Sequence, residues 1–528
     1  MKQRITYIQR SDAGFDPEQA VLTPKSLTIR NIVAAREDRL TFELNALSSE
    51  LRHVLQKAKD VHVRWATEKS FDAVPPFSSR VSPGLHVLHT PLDAGQSSET
   101  FCSWLRATFG RNENDEALDC PRHEKAFIES PHRATESHAA TSLQYHTQLP
   151  SLEPFISNIK RAICGSHTTE SVGCVAVVDS LSTADVVDVD YDGTSNTLVL
   201  SGFWAKGPTG GWSEVIHKPN KKSDKVEFGL LGTEPGIGAD EVKVGGLLAV
   251  VGEDKKLKPA MFSFPSRHHV LPQSASYAIS FTEPTGLHPT MSITIPRSSL
   301  DRPSAPDDTT CSLHTYLTLP SSIFGDQYQL GTTDSLFLQS HNLAGLRAHS
   351  GETDLEAPDW AVKGWGSNWL FELATPNGDD LTSQSSNWTS TVPLHLRYLH
   401  PSETGYRPVH VPWPVVFWAC SSEYEKESIG INPFDRTHLV YDSLFSPRTF
   451  FYQLHPQSEH LVETLDAPVL NLGDGQGFFQ TRNIELGTSI VILLGFFWVL
   501  WQLARVAWSS GLGANNSTQR AEVHDKKD

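Results

Sequence analysis

The sequence predicts a mainly β protein, with antiparallel β-sandwich domains and a few short helices, hung from one C-terminal transmembrane helix. Three observations predict it. Apolar and polar residues alternate along most of the chain, the two-residue period of half-buried strands. Only two internal segments show clear apolar spacing at the 3.6-residue period of helices. One run near the C-terminus is long, apolar and free of charge.

The elements follow in order. Met1–Arg10 alternates as a strand and lacks the continuous apolar stretch of a secretory signal. Leu47, Leu51, Val54, Leu55 and Ala58 share one helical face, and Val61–Ala66 reads as the next strand. Residues 92–150 are polar and nearly aperiodic, so they read as a long loop with a short helix over Phe101–Phe109. Leu152, Phe155, Ile156, Ile159 and Ile163 form a second helical face. Val172–Val178, Thr197–Trp204, Gly246–Val251, Tyr277–Phe281 and Met291–Ile295 read as strands and complete a first β-rich domain, 1–296. Residues 297–310, rich in Ser, Asp and Pro, have linker composition. A second sandwich, 311–483, is expected from Ser312–Leu319, Thr391–His400, Val409–Ala419, His438–Tyr441 and Thr449–Leu454. Pro412 and Pro414 put the third of these at a sheet edge or bulge, because proline donates no ladder hydrogen bond.

The transmembrane helix is assigned to 484–505. Leu486–Ala504 carries no charge and covers roughly 28 Å as a helix, close to the bilayer hydrocarbon thickness. Trp498, Trp501 and Trp508 gather at its C-terminal end as an interfacial aromatic belt. Arg505, Arg520, Lys526 and Lys527 follow the helix, against Arg482 alone just before it. That asymmetry directs the tail 506–528 to the cytosol and the bulk of the chain to a lumen or the exterior. The lack of a signal also leaves open a tail-anchored protein with a cytosolic bulk.

Composition excludes several function classes. A net charge of −17 argues against nucleic acid, whose phosphates would be repelled. Six cysteines, at 102, 120, 164, 174, 311 and 420, are too few for a disulfide-dense scaffold, and the sequence does not choose among their pairings. No C-x-x-C pair marks a zinc ribbon or a thioredoxin-like site. Asp188, Asp190, Asp192 and Gly193 match the opening of a calcium loop, but Val199 stands where a bidentate glutamate is needed. A solvated hairpin turn is the preferred reading of these aspartates. The glycine-rich run Gly232–Asp240 is neither G-x-G-x-x-G nor a P-loop, and no G-x-S-x-G occurs. His86, His89, His268 and His269 lack a third metal ligand at a recognisable spacing. No catalytic, cofactor-binding or metal residue is therefore assigned, and no cofactor is expected. Asn387-Trp-Thr389 is an N-glycosylation sequon in what reads as a polar loop.

Motifs in 311–505 carry a family resemblance. They are Cys311-Ser-Leu-His-Thr-Tyr-Leu-Thr-Leu-Pro320, Val392-Pro-Leu-His-Leu-Arg-Tyr-Leu-His-Pro401, Val411-Pro-Trp-Pro-Val-Val-Phe-Trp-Ala-Cys420 and Asn432-Pro-Phe-Asp435, ahead of one terminal span. This segment resembles the PIG-X family, and the whole chain resembles its longer fungal relatives, the Pbn (protease B nonderepressible) proteins. The resemblance implies an endoplasmic reticulum membrane protein with a lumenal N-terminal region and no cleaved signal. Its implied role is an accessory subunit, not an enzyme. It would stabilise the multi-spanning catalytic subunit (PIG-M type) of the first GPI mannosyltransferase and act like a chaperone on other ER proteins. In that oxidising setting, Cys311 and Cys420 on two motif strands are expected to bond. The rival expectation is a membrane-anchored β-sandwich module that binds calcium or glycan.

Overall fold

The computed structural model describes residues 1–9, 16–92, 99–110, 126–130, 142–164, 172–234, 241–283, 285–376, 386–422, 440–472 and 481–509. They fall into two units, Met1–Leu399 with Pro408–Ala467, and His400–Arg407 with Pro468–Asp528.

Strand alternation builds the first unit as layers. An 11-stranded sheet includes Lys2–Gln9, Ala35–Glu43, Ala58–Ala66, Gly84–Pro91, Leu143–Thr147, Val186–Asp192 and Thr197–Trp204. On one face, Val61, Val63, Val87, Tyr145 and Val189 pack with Leu51, Leu105, Phe155, Ile159 and Val178 of four helices. Those helices are Ser49–Leu55, Glu99–Phe109, Glu153–Ile163 and Val172–Ser180. The first is started by Ser48, whose hydroxyl accepts from the Leu51 amide at 3.3 Å. Each fully buried side chain of this size contributes about 1.5–3 kcal/mol.

Alternate residues point to the opposite face, where Ile8, Ala35 and Phe203 pack with Phe77, Leu231 and Val244, and a six-stranded sheet covers the part around Leu88. Leu88 of the large sheet packs there with Tyr316, Leu370, Phe417 and Phe451. The far side of the six-stranded sheet, with Leu317, Trp369, Phe371 and Trp418, meets Tyr277, Ile279, Met291, Ile293 and Val392 of a four-stranded sheet. The order is thus helices, sheet, sheet, sheet, and the last two make the sandwich. Parallel pairings interrupt the antiparallel pattern, among them Lys2–Gln9 with Lys225–Glu234, His268–Val270 with Thr449–Gln453, and Ser276–Tyr277 with His455–Pro456.

Several expectations are corrected. Val172–Val178 is helical, within Val172–Ser180. A short continuous apolar run has no period to separate a buried helix from a buried strand. Thr391–His400 is not one strand, since Asn387–Pro393 ends at its proline and only His395–Leu396 pairs beyond it. Val409–Ala419 is split into Tyr406–Pro412 and Val415–Ser422 around Trp413, as its two prolines require. Of His438–Tyr441, the first two residues lie outside the described ones, and Val440 has a φ of 65°, incompatible with a strand. The segment 92–150 contributes the helix Glu99–Phe109 and two strands, Ile128–Glu129 and Leu143–Thr147, to the first unit. The remainder of that loop expectation, at 93–98, 111–125 and 131–141, lies outside the described residues. The residues 297–310 lead from Thr290–Pro296 of the four-stranded sheet to Thr309–Pro320 of the six-stranded sheet, so the boundary expected there lies within the first unit. The C-terminal sheets begin upstream, at His268.

Gly366 shows how tightly the sandwich strands approach. Its φ is +152°, and an added Cβ would lie 2.1 Å from the Leu319 carbonyl oxygen. Gly366→Ala is expected to destabilise the fold by about 1–3 kcal/mol, read as a lowered melting temperature.

In the second unit, Arg482–Ser509 forms 28 residues of helix long and apolar enough to cross a membrane, with none of its apolar window buried. It contains the span expected at 484–505.

Candidate functional site

Of the residues singled out in the sequence, Asp188, His86 and His268 lie in the layer between the large and the six-stranded sheets, whereas His89 stacks on Phe101 on the helix side and His269 on Tyr452 on the sandwich side. Strand Val186–Asp192 lies beside Ala58–Ala66, and the register sets Asp188 opposite Arg64 and Asp190 opposite His62. Arg64 Nε donates to Asp188 Oδ1 at 2.6 Å and its Nη2 to Oδ2 at 3.3 Å. Their side chains are only 3% and 6% exposed. Burial, the largest single effect, would lower the Arg64 pKa, but the Asp188 carboxylate, with Asp190 and Asp442 adding to it, raises it above the ordinary value. His62 Nδ1 pairs with Asp190. Asp192 instead closes the turn, accepting from the amides of Thr194 at 2.8 Å and Ser195 at 3.3 Å.

These three aspartates therefore do separate work. The solvated-turn reading fits Asp192 but not Asp188, which is a buried ion-pair partner. Sequence reasoning missed this because the partner, Arg64, is 124 residues away. The only signal was that His62 and Arg64 occupy the polar side of an otherwise apolar strand. Among the described residues, no group of three or more His, Cys, Asp or Glu is placed to hold a metal ion.

Other polar groups lie in and around this layer, and one pair joins the two sheets directly. Asn368 Nδ2 donates to Gln144 Oε1 at 2.8 Å, and Trp365 Nε1 donates to the Gln144 carbonyl at 3.0 Å. Gln453 accepts from the Arg80 amide at 2.7 Å and donates to the Arg80 carbonyl at 3.0 Å. His86 Nε2 bonds the Ser82 carbonyl at 2.6 Å, His146 Nε2 bonds that of Pro83 at 3.1 Å, and the two rings lie 4.6 Å apart.

Burial holds these imidazoles neutral. It pushes His146 down to about 4. It lowers His86 well below the ordinary 6.5, with the adjoining His146 adding to the effect. His268 falls to about 3 through burial and the neighbouring Arg267. The unfolded chain binds protons on these rings below about pH 6.5, whereas the folded chain resists until about pH 4 or lower. Stability is thus fully present above pH 6.5 and is lost as pH falls towards 4. Urea unfolding midpoints measured from pH 7.5 to 4.5 are expected to decline, and the His146→Gln variant should decline less.

The motif strands carry a different arrangement. Cys311 and Cys420 lie opposite each other in register and are disulfide-bonded, with an S–S distance of 2.02 Å. Cys164 and Cys174 form a second bond between two helices, and Cys102 is also bonded. Arg397 is buried, donating to the carbonyls of Ser321 at 3.0 Å, Ala357 at 2.9 Å and Asp354. Its guanidinium lies 4.1 Å from the centre of the Phe324 ring. This pins the 354–361 loop and leaves Trp360 54% and Tyr398 67% exposed. Asn387 is exposed, but it opens an edge strand and is not in a loop. A cavity of about 520 Å³, lined by Ile8, Val33, Ala35, Val74, Ala205 and Lys206 among others, lies at the large sheet.

Comparison with known proteins matches residues 284–504 to the family model described as PIG-X / PBN1. The match runs from the four-stranded sheet through the sandwich into the apolar helix. Protein pbn1 of Aspergillus oryzae is 50% identical, with 100% of both chains covered. That of Emericella nidulans is 51% identical over 97% of each, and that of Neurospora crassa 37% identical over 99% of each. Identity of this extent spans the large N-terminal sheet as well as the motif strands, and the chain belongs to the PIG-X / PBN1 family.

Proposed function

We propose that this protein is a non-catalytic accessory subunit in GPI-anchor biosynthesis. It stabilises the multi-spanning PIG-M-type mannosyltransferase subunit in the endoplasmic reticulum membrane and gives chaperone-like support to other ER proteins. Family membership over the full chain is the observation that carries the assignment.

The physical reading is consistent with it. The long helix leaves its apolar surface uncovered, so lipid or a partner's helices must cover it. The disulfides suit an oxidising lumen, which is where positive-inside bias puts the bulk of the chain. Trp360 and Tyr398 offer aromatic anchors on a loop fixed by Arg397, the kind of side chain that dominates protein interfaces. The polar groups of the inter-sheet layer hold the sheets together. Asn387, at an exposed strand edge, is the glycosylation site of this reading.

Purification of the tagged chain from mild-detergent microsomes is expected to bring down the mannosyltransferase subunit. Glycosidase treatment should raise its gel mobility, and Asn387→Gln should abolish that change. Recovery of the chain alone, insensitive to glycosidase, would contradict both the partner and the lumenal orientation.

A further inference from the structure

The second unit holds an apolar patch that neither the span nor the proposed partner contact uses. Ser402 organises it: its amide donates to the Leu470 carbonyl at 3.1 Å, and its carbonyl accepts from the Leu472 amide at 2.8 Å. Gly405, at a φ of +79°, turns the chain, and its carbonyl accepts from the Val469 amide at 2.9 Å. Arg407 donates to the carbonyls of His400 at 2.6 Å and Pro401 at 2.9 Å, so its charge is tied back onto the turn. These bonds clamp two short segments together. Yet Tyr406 is 56%, Leu470 57% and Leu472 44% exposed. Leu470 and Leu472, two apart along extended chain, share a face. Asn471 between them turns the other way, its Cβ 3.3 Å from where a Gly405 Cβ would stand.

The tether limits how far this patch stands from the long helix. Nine residue steps separate Leu472 from Thr481, where the long helix begins, and they reach at most roughly 30 Å. A bilayer crossed by that helix is therefore within reach of the patch. Leucines beside a tyrosine, apolar with one hydroxyl, match the chemistry of the headgroup–acyl boundary. The charged neighbours Glu403 and Arg407 are of opposite sign, so acidic lipid is not required. We infer that Tyr406, Leu470 and Leu472 form a second membrane contact, seated on the surface of the bilayer that the chain's own helix crosses. The inference rests on the reading of that helix as a membrane span.

The test places a photoactivatable benzophenone side chain at Leu470, Leu472, Asn471 or Leu493 of the full chain in phosphatidylcholine proteoliposomes. Irradiation should give lipid adducts at Leu470 and Leu472 in several-fold excess over Asn471, together with adducts at Leu493 within the helix. Adducts at Leu493 with none at Leu470 or Leu472, or with protein adducts there instead, would overturn the surface contact while leaving the span intact. Absence of lipid adducts at Leu493 as well would overturn the span itself.

Discussion

Asp188→Ala is expected to cost about 3–5 kcal/mol of stability, the penalty for leaving a buried charge without its partner. The Arg64 guanidinium, 3% exposed, would keep its burial and lose both hydrogen bonds to the carboxylate. Nothing solvates it in exchange, because the six-stranded sheet lies over this face. The double variant Arg64→Met with Asp188→Leu removes both charges and is expected to recover most of the loss. Urea unfolding of the wild type, Asp188→Ala, Arg64→Met and the double variant checks this. Equal losses in the double and the single variants would mean that the side chains act by packing and not as a charge pair.

Removal of the Cys311–Cys420 bond is expected to cost about 4–5 kcal/mol, the loop-closure entropy for a loop of this size. The bond spans a sequence separation of 109 residues and joins neighbouring central strands of the six-stranded sheet. Unbonded, the same loop must be closed by strand pairing alone. Cys164–Cys174, at a separation of 10, closes a far smaller loop, and its removal should cost less. Thermal unfolding of Cys311→Ala/Cys420→Ala beside Cys164→Ala/Cys174→Ala gives the order directly. A larger loss for the short loop would contradict the entropic account.

Local pattern carried much of the fold. Ile5 and Tyr7, Val61 and Val63, and Met291, Ile293 and Ile295 are buried as their alternation requires. The helical faces at Leu51 and Leu55 and at Phe155 and Ile159 pack into one core. The terminal span needed only length and lack of charge. Failures arose where the signal was not local. Val172–Val178 is apolar on every side, so its period is undefined, and it forms a helix that buries Cys174 and Val178 with Phe155 and Ile159 against the sheet. The 297–310 segment has the composition of a linker, but pairing of Thr290–Pro296 with Asn387–Pro393 makes it a connection within one domain. The site shows the same limit. The Asp188, Asp190 and Asp192 run was visible, but Arg64 and His62, which give two of those carboxylates their roles, come from a distant strand. Arg397 was quoted as a motif residue, yet its work, holding three carbonyls of two loops, has no counterpart in spacing.

A role in sustaining a catalytic partner is read most directly in the partner itself. The most direct measurement is the level of the mannosyltransferase subunit in ER membranes after the chain is depleted, with GPI precursors analysed in the same cells. The subunit is expected to fall and the unmannosylated precursor to accumulate, both restored by the full-length chain. An unchanged subunit with normal precursors would contradict that role.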